Sequence, residues 1–133
     1  MLLEDQSLNM MIAKKLLEKH GARVLSAENG RLGLERFAAS PVGFIDAILT
    51  DIRMPVMDGL ELARAIRALA RADAQTVPII AMTANAFEED VQETRRAGMD
   101  AHLSKPIDPE LLDGTLQSCI LSGEAEKRRK NEA

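Results

Sequence analysis

The chain has 133 residues and a formal charge of −4, enough for one domain with a single sizeable core. Hydrophobic residues make up 46% and charged residues 29%, a globular balance in which no apolar run reaches the ~18 residues of a membrane span. Only three aromatics (Phe37, Phe44 and Phe87) are present, so with its acidic balance the chain is not expected to bind nucleic acid directly.

Taken in order, short β-like runs alternate with longer helical ones. Met1 to Leu3 reads as the first strand, followed by the acidic pair Glu4–Asp5. Leu8, Met11, Ile12 and Leu16 recur at helical spacing up to a stop at Gly21. "ARVLSA" is the second strand and "GRLGLERFAA" the second helix, ending before Ser40–Pro41. "DAILTD" is the third strand, and Pro55 and Asp58–Gly59 supply turn chemistry after it. "LELARAIRALARA" places Leu62, Ile66 and Leu69 on one helical face. "IIAMT" is apolar enough to be covered on both faces. "FEEDVQETRRAG" has acids in its first turn, arginines in its last and Gly98 as terminator. "MDAHLS" is the fifth strand. "DPELLDGTLQSCIL" is the fifth helix, with Asp108 as N-cap and Pro109 in the first helical position.

Five β–α units in succession imply a parallel sheet covered by helices on both faces. The domain is expected over 1–121, with 122–133 a charged tail or linker. A central strand of three residues is short against the usual ~5. The sequence is therefore expected to start inside that strand, as an excerpt of a longer protein. The acidic pair stands where a signal peptide would be basic, and the single cysteine, Cys119, excludes an internal disulfide. Both features point to the cytoplasm.

In a parallel sheet the strand ends share one edge, and functional groups gather there. Strand one ends in Glu4–Asp5, strand three in Asp51, strand four in Thr83, and Lys105–Pro106 follows strand five. Three adjacent carboxylates repel one another, so a proton or a cation must join them. Hard oxygen ligands suit Mg²⁺. A hydroxyl and an ammonium facing that metal make a cradle for a tetrahedral dianion, and a carboxylate can act as the nucleophile of phosphoryl transfer.

Through "LLEDQSLN", "DIRMPVMDG", "MTANA" and "LSKP", over about residues 1–121, the chain resembles the receiver domain of bacterial two-component response regulators. "MTANA" is closest to receivers attached to hybrid histidine kinases. The resemblance implies a flavodoxin-like, doubly wound α/β fold with strand order 2-1-3-4-5. It implies that Asp51 accepts a phosphoryl group from a histidine kinase or histidine phosphotransfer protein. Asp5, Asp51 and the backbone carbonyl of Arg53 would bind Mg²⁺ directly, and Glu4 mostly through water. Thr83 and Lys105 would hold the phosphoryl oxygens. Arg53 and Asn85, each two residues past a site residue, would influence the adduct's lifetime. Phosphorylation would then reshape the face of the fourth helix, fifth strand and fifth helix, which meets an output partner protein. Such a domain would catalyse only its own phosphorylation and slow dephosphorylation.

His102 departs from the tyrosine or phenylalanine usual at the family's switch position. It keeps a planar ring that can ionise near neutral pH. Pro after Ser104–Lys105 is expected to be cis, as in that family's motif. Two alternatives remain. A phosphorylation-independent pseudo-receiver would bind partners only. A phosphohydrolase of the haloacid-dehalogenase type would need an aspartate at the position of Arg53. The methionines, His20 and Cys119 read as packing or helix-end residues.

Overall fold

A computed structural model describes the backbone of residues 1–83, 88–105 and 107–132, and side chains within these apart from 88–90 and 121–132. Five strands form one parallel sheet in the order β2-β1-β3-β4-β5. They are β1 (Leu2–Leu3), β2 (Ser26–Ala27), β3 (Ile48–Asp51), β4 (Ile79–Thr83) and β5 (Ala101–Ser104). The helices are α1 (Ser7–Lys19), α2 (Gly30–Ala39), α3 (Gly59–Arg67), α4 (Glu88–Arg96) and α5 (Pro109–Glu132), with a 3-10 turn at Ala72–Gln75.

The pleat divides the core. Leu2, Leu49, Ile80, Met82 and Leu103 face α1 and α5, where Ala13, Leu17 and Leu112 meet them. Leu3, Ile48, Ile79 and Ala81 face the other way, against Phe37 of α2 and Leu62, Ala63 and Ile66 of α3. Central β3 and β4 are buried along their whole length. The expected doubly wound architecture is the one observed.

Helix ends follow their sequence signals. Asn29 caps α2 by accepting from the Leu32 amide at 3.0 Å, and Asp58 caps α3 by accepting from Glu61 at 2.8 Å. Gly21 and Gly98 take left-handed φ values of 88° and 96°. The residues after them bond back to Leu17 and Thr94, closing α1 and α4 in the manner open to glycine.

Two readings are corrected. The exposed side of α1 carries Leu8, Met11 and Ile12, while Ala13 and Leu17 are buried and Met10 and Leu16 pack beside them. The methyl of Ala13 lets the helix lie close to the sheet, and a bulkier apolar residue there would hold it off. β2 is only two residues long, because Ala22 to Val24 run outside the ladder and Leu25 joins it only through its carbonyl, which accepts from the Leu2 amide at 2.7 Å. The charged tail, read as a helix extension or linker, is helical: α5 runs to Glu132, since the tail is rich in Ala, Glu, Lys and Arg and Gly123 alone does not stop it.

Candidate functional site

Two strands, β1 and β3, bring three carboxylates to one edge. Leu2 and Leu3 of β1 pair with Leu49 and Thr50 of β3, so the residues just beyond, Glu4 and Asp51, come side by side. Glu4 is 3% exposed, and its amide donates to the Ala27 carbonyl at 3.2 Å. Asp51 is buried, and Asp5 is exposed at the rim. Carboxylate oxygens of Glu4, Asp5 and Asp51 lie within 4.8 Å of one another.

Lys105 arrives from the end of β5. Its Nζ donates to Glu4 Oε2 and to Asp51 Oδ2, both at 2.9 Å. Its amide donates to the Thr83 carbonyl at 2.8 Å, which ties the lysine to the end of β4. Burial opposes the ammonium, but its bonds to Glu4 and Asp51 outweigh burial and hold its pKa above the usual lysine range. The lysine is therefore cationic throughout the neutral range.

Glu4 shows the reverse balance. Burial pushes its carboxyl above the usual range, and the charge of Asp51 adds to the rise, while Lys105 and the Gln6 amide only partly compensate. The cluster thus has an excess of negative charge that a single ammonium does not neutralise. Oxygen donors from three residues within 4.8 Å, one of them open to solvent, suit a hard divalent cation such as Mg²⁺.

Thr83 is 8% exposed and borders a cavity of about 300 Å³ beside Asp51, with Ile52, Arg53, Asp58, Leu60 and Glu93. Arg53 is exposed, and its amide approaches Asp51 Oδ1 at 3.4 Å. His102 sits on β5 opposite Ala81, half-buried, with its Nε2 enclosed and unpartnered among the described residues. Asn85 and Pro106 lie outside the described residues. Glu4, Asp5, Asp51, Arg53, Thr83 and Lys105 are thus assembled at one strand edge as expected.

The sequence signals a turn here, but not the contacts by which it supports the site. Gly59 donates to the Ile52 carbonyl at 2.8 Å, and an added Cβ would strike the Asp51 carbonyl. Val56 has φ 70°, unusual for a β-branched residue, in a γ-turn where the Met57 amide bonds to the Pro55 carbonyl at 2.8 Å. The Met57 carbonyl in turn accepts from Gly30 at 2.9 Å. The Asp58–Gly59 pair signalled a turn, but nothing local signalled the contact with α2.

The response regulator receiver domain family matches residues 1–117. The chain belongs to that family, whose members are signalling domains of two-component phosphorelays. Hybrid signal transduction histidine kinase I of Dictyostelium discoideum is 38% identical over 111 residues, covering 82% of this chain and 6% of that protein. The aerobic respiration control sensor protein ArcB of Escherichia coli K12 is 41% identical over 108 residues, covering 80% and 13%. The chain thus spans a small fraction of these curated relatives. Among solved structures, the receiver domain of a sensor histidine kinase from Pseudomonas aeruginosa PAO1, with magnesium in its active-site cleft, is 37% identical. Its TM-score is 0.79, with coverage of 90% of this chain and 94% of that one. Chemotaxis response regulator CheY4 of Vibrio cholerae is 30% identical, with a TM-score of 0.79 and coverage of 89% and 94%.

Proposed function

We propose that this chain is the phosphoacceptor of a phosphorelay, taking a phosphoryl group onto Asp51 from a phosphohistidine of a histidine kinase or histidine phosphotransfer protein. A carboxylate oxygen of Asp51 attacks phosphorus as the phosphorus–nitrogen bond breaks. The imidazole nitrogen keeps that electron pair and takes a proton from solvent. Lys105 neutralises one oxygen of the transferred group, and the Thr83 hydroxyl donates to another. Glu4, Asp5, Asp51 and the Arg53 carbonyl would hold Mg²⁺, which when bound supplies charge neutralisation between the carboxylates and the phosphoryl oxygens. The magnesium-bearing relative at 37% identity supports that assignment.

The observation that carries the reading is the double contact of Lys105 Nζ, 2.9 Å from both Glu4 and Asp51. It sets a cation against the carboxylate that must become a nucleophile. In this reading the chain acts in the cytoplasm, turns over no external substrate, and catalyses only its own phosphorylation and slow dephosphorylation. Arg53 and Asn85 tune the adduct's lifetime. Drawing Thr83 towards the phosphoryl group lets the His102 ring shift, and the α4–β5–α5 face then changes its affinity for an output protein. Residues 122–133 serve as a charged linker or tail.

The test is incubation with acetyl phosphate and Mg²⁺, read by intact mass. A labile increase of one PO₃ unit, absent in Asp51→Asn, is the expected result. Failure to form an adduct with small donors and with histidine kinases alike would leave a partner-binding pseudo-receiver. Sustained phosphate release from many substrates would mark a hydrolase.

A further inference from the structure

The turn between β3 and α3 carries Arg53 and Asp58 past the Asp51 carboxyl, and its backbone bonds form a short chain. The Arg53 amide approaches Asp51 Oδ1 at 3.4 Å, and the Met57 amide donates to the Pro55 carbonyl at 2.8 Å. Gly59 donates to the Ile52 carbonyl at 2.8 Å, and the Asp58 side chain accepts from the Glu61 amide at 2.8 Å. Those contacts are all internal to the turn and its helix. Two reach outside: the Ile52 amide donates to the Met82 carbonyl of β4 at 3.2 Å, and at the far side of the turn the amide of Gly30 donates to the Met57 carbonyl at 2.9 Å.

Gly30 is the first residue of α2 and is buried. A Cβ built on it would lie 2.5 Å from the Met57 carbonyl oxygen, 2.8 Å from Met57 Cγ and 3.1 Å from the Asp58 carbonyl. The nearest obstacle is backbone, so a side chain at position 30 can be admitted only if the turn or α2 moves. Asn29, which caps α2 through the Leu32 amide, fixes the helix end that presents Gly30. The opposing piece is under strain, since Val56 holds φ 70° at the centre of its γ-turn. A β-branched residue stays in that region only where its surroundings over-determine the backbone. The Gly30–Met57 bond is the tertiary contact that does so.

We propose that Gly30 is a positioning residue for the acidic site: its amide and its missing Cβ lock the Met57 carbonyl, and through it the turn that keeps Arg53 beside Asp51. The inference rests on the phosphoacceptor reading only for what the site binds. The lock itself is a property of the backbone. Groups that orient ligands without touching the metal commonly alter affinity when removed.

The experiment compares Gly30→Ala with the wild-type chain and with Phe37→Leu. Phe37 is fully buried two turns along α2 from Gly30, so Phe37→Leu lowers stability while leaving the Gly30 amide and its missing Cβ unchanged. Mg²⁺ affinity is measured by calorimetric titration at a temperature where all three are folded by circular dichroism. Amide exchange is followed by NMR in metal-free buffer. In Gly30→Ala, Mg²⁺ binding weakens at least about tenfold, and the amides of Arg53, Met57 and Gly59 exchange several-fold faster. In Phe37→Leu the melting temperature falls, with Mg²⁺ affinity kept. Adding Met57→Ala to Gly30→Ala leaves the loss in place, because the carbonyl remains. Wild-type affinity and exchange in Gly30→Ala would overturn the proposal, as would rescue by Met57→Ala or an equal loss in Phe37→Leu. If the wild-type chain binds no Mg²⁺, the metal reading fails and the exchange arm alone decides the lock. If Gly30→Ala does not fold, wild-type exchange decides: a shared opening rate for Gly30, Arg53 and Met57 upholds the lock, and independent rates overturn it.

Discussion

Glu4 is nearly sealed from solvent beside a second carboxylate, so its ionisation costs more in the folded chain than in the unfolded one. The sign follows from linkage. A carboxyl whose folded pKa is raised binds its proton more tightly when folded, so stability falls as pH rises from the unfolded value of 4.5 through the folded one. Glu4→Gln lacks that loss. In metal-free buffer its melting temperature is expected to gain on the wild type as pH rises above ~4.5, checked by calorimetric melts at pH 4 and pH 7. An unchanged or shrinking difference would refute the sign. Residue identities at the site were legible because each group closes a strand in its own segment. The pairing of Glu4 with Lys105 was not, since it joins positions 101 residues apart and depends on strand order.

Elements were legible where local chemistry decides them. α2 is observed over the stretch read from sequence because Asn29 starts it and Ser40–Pro41 prevents its continuation. Asn29→Ala removes a single side-chain cap and is expected to cost about 1 kcal/mol, read as a lower urea midpoint at unchanged slope. The inward face of α1 was misread because two apolar stripes compete at helical spacing. Alanine contributes little to an apolar pattern, yet Ala13 marks the close approach to the sheet while Leu8, Met11 and Ile12 face solvent. β1 presents the opposite case. Two fully buried leucines suffice for a central strand because both neighbours pair with them.

Across the whole molecule the two edges of the sheet do different work. At the edge away from the site, Arg71 holds Asp73 at 2.6 Å and lies 4.6 Å from the Phe37 ring, and Arg67 grips Asp100 and the Gly98 carbonyl. Donors and acceptors there are matched. At the site edge, among the described residues, they are not: three carboxylates face one ammonium. A ligand that binds only the folded chain stabilises it by mass action, about 2.7 kcal/mol at a hundredfold excess over Kd. Added Mg²⁺ is therefore expected to raise the melting temperature, and Asp5→Asn to diminish that rise. Calorimetry suits the measurement, because the chain has neither Trp nor Tyr. A rise of equal size in both chains would place the ion elsewhere.

Lys105 reaches its two acids across 54 and 101 positions of the chain. A nascent or partly unravelled chain contains Asp51 but lacks the ammonium that faces it. The acidic cluster thus gains its facing cation only after the fifth strand has docked, so the completed edge certifies a completed sheet.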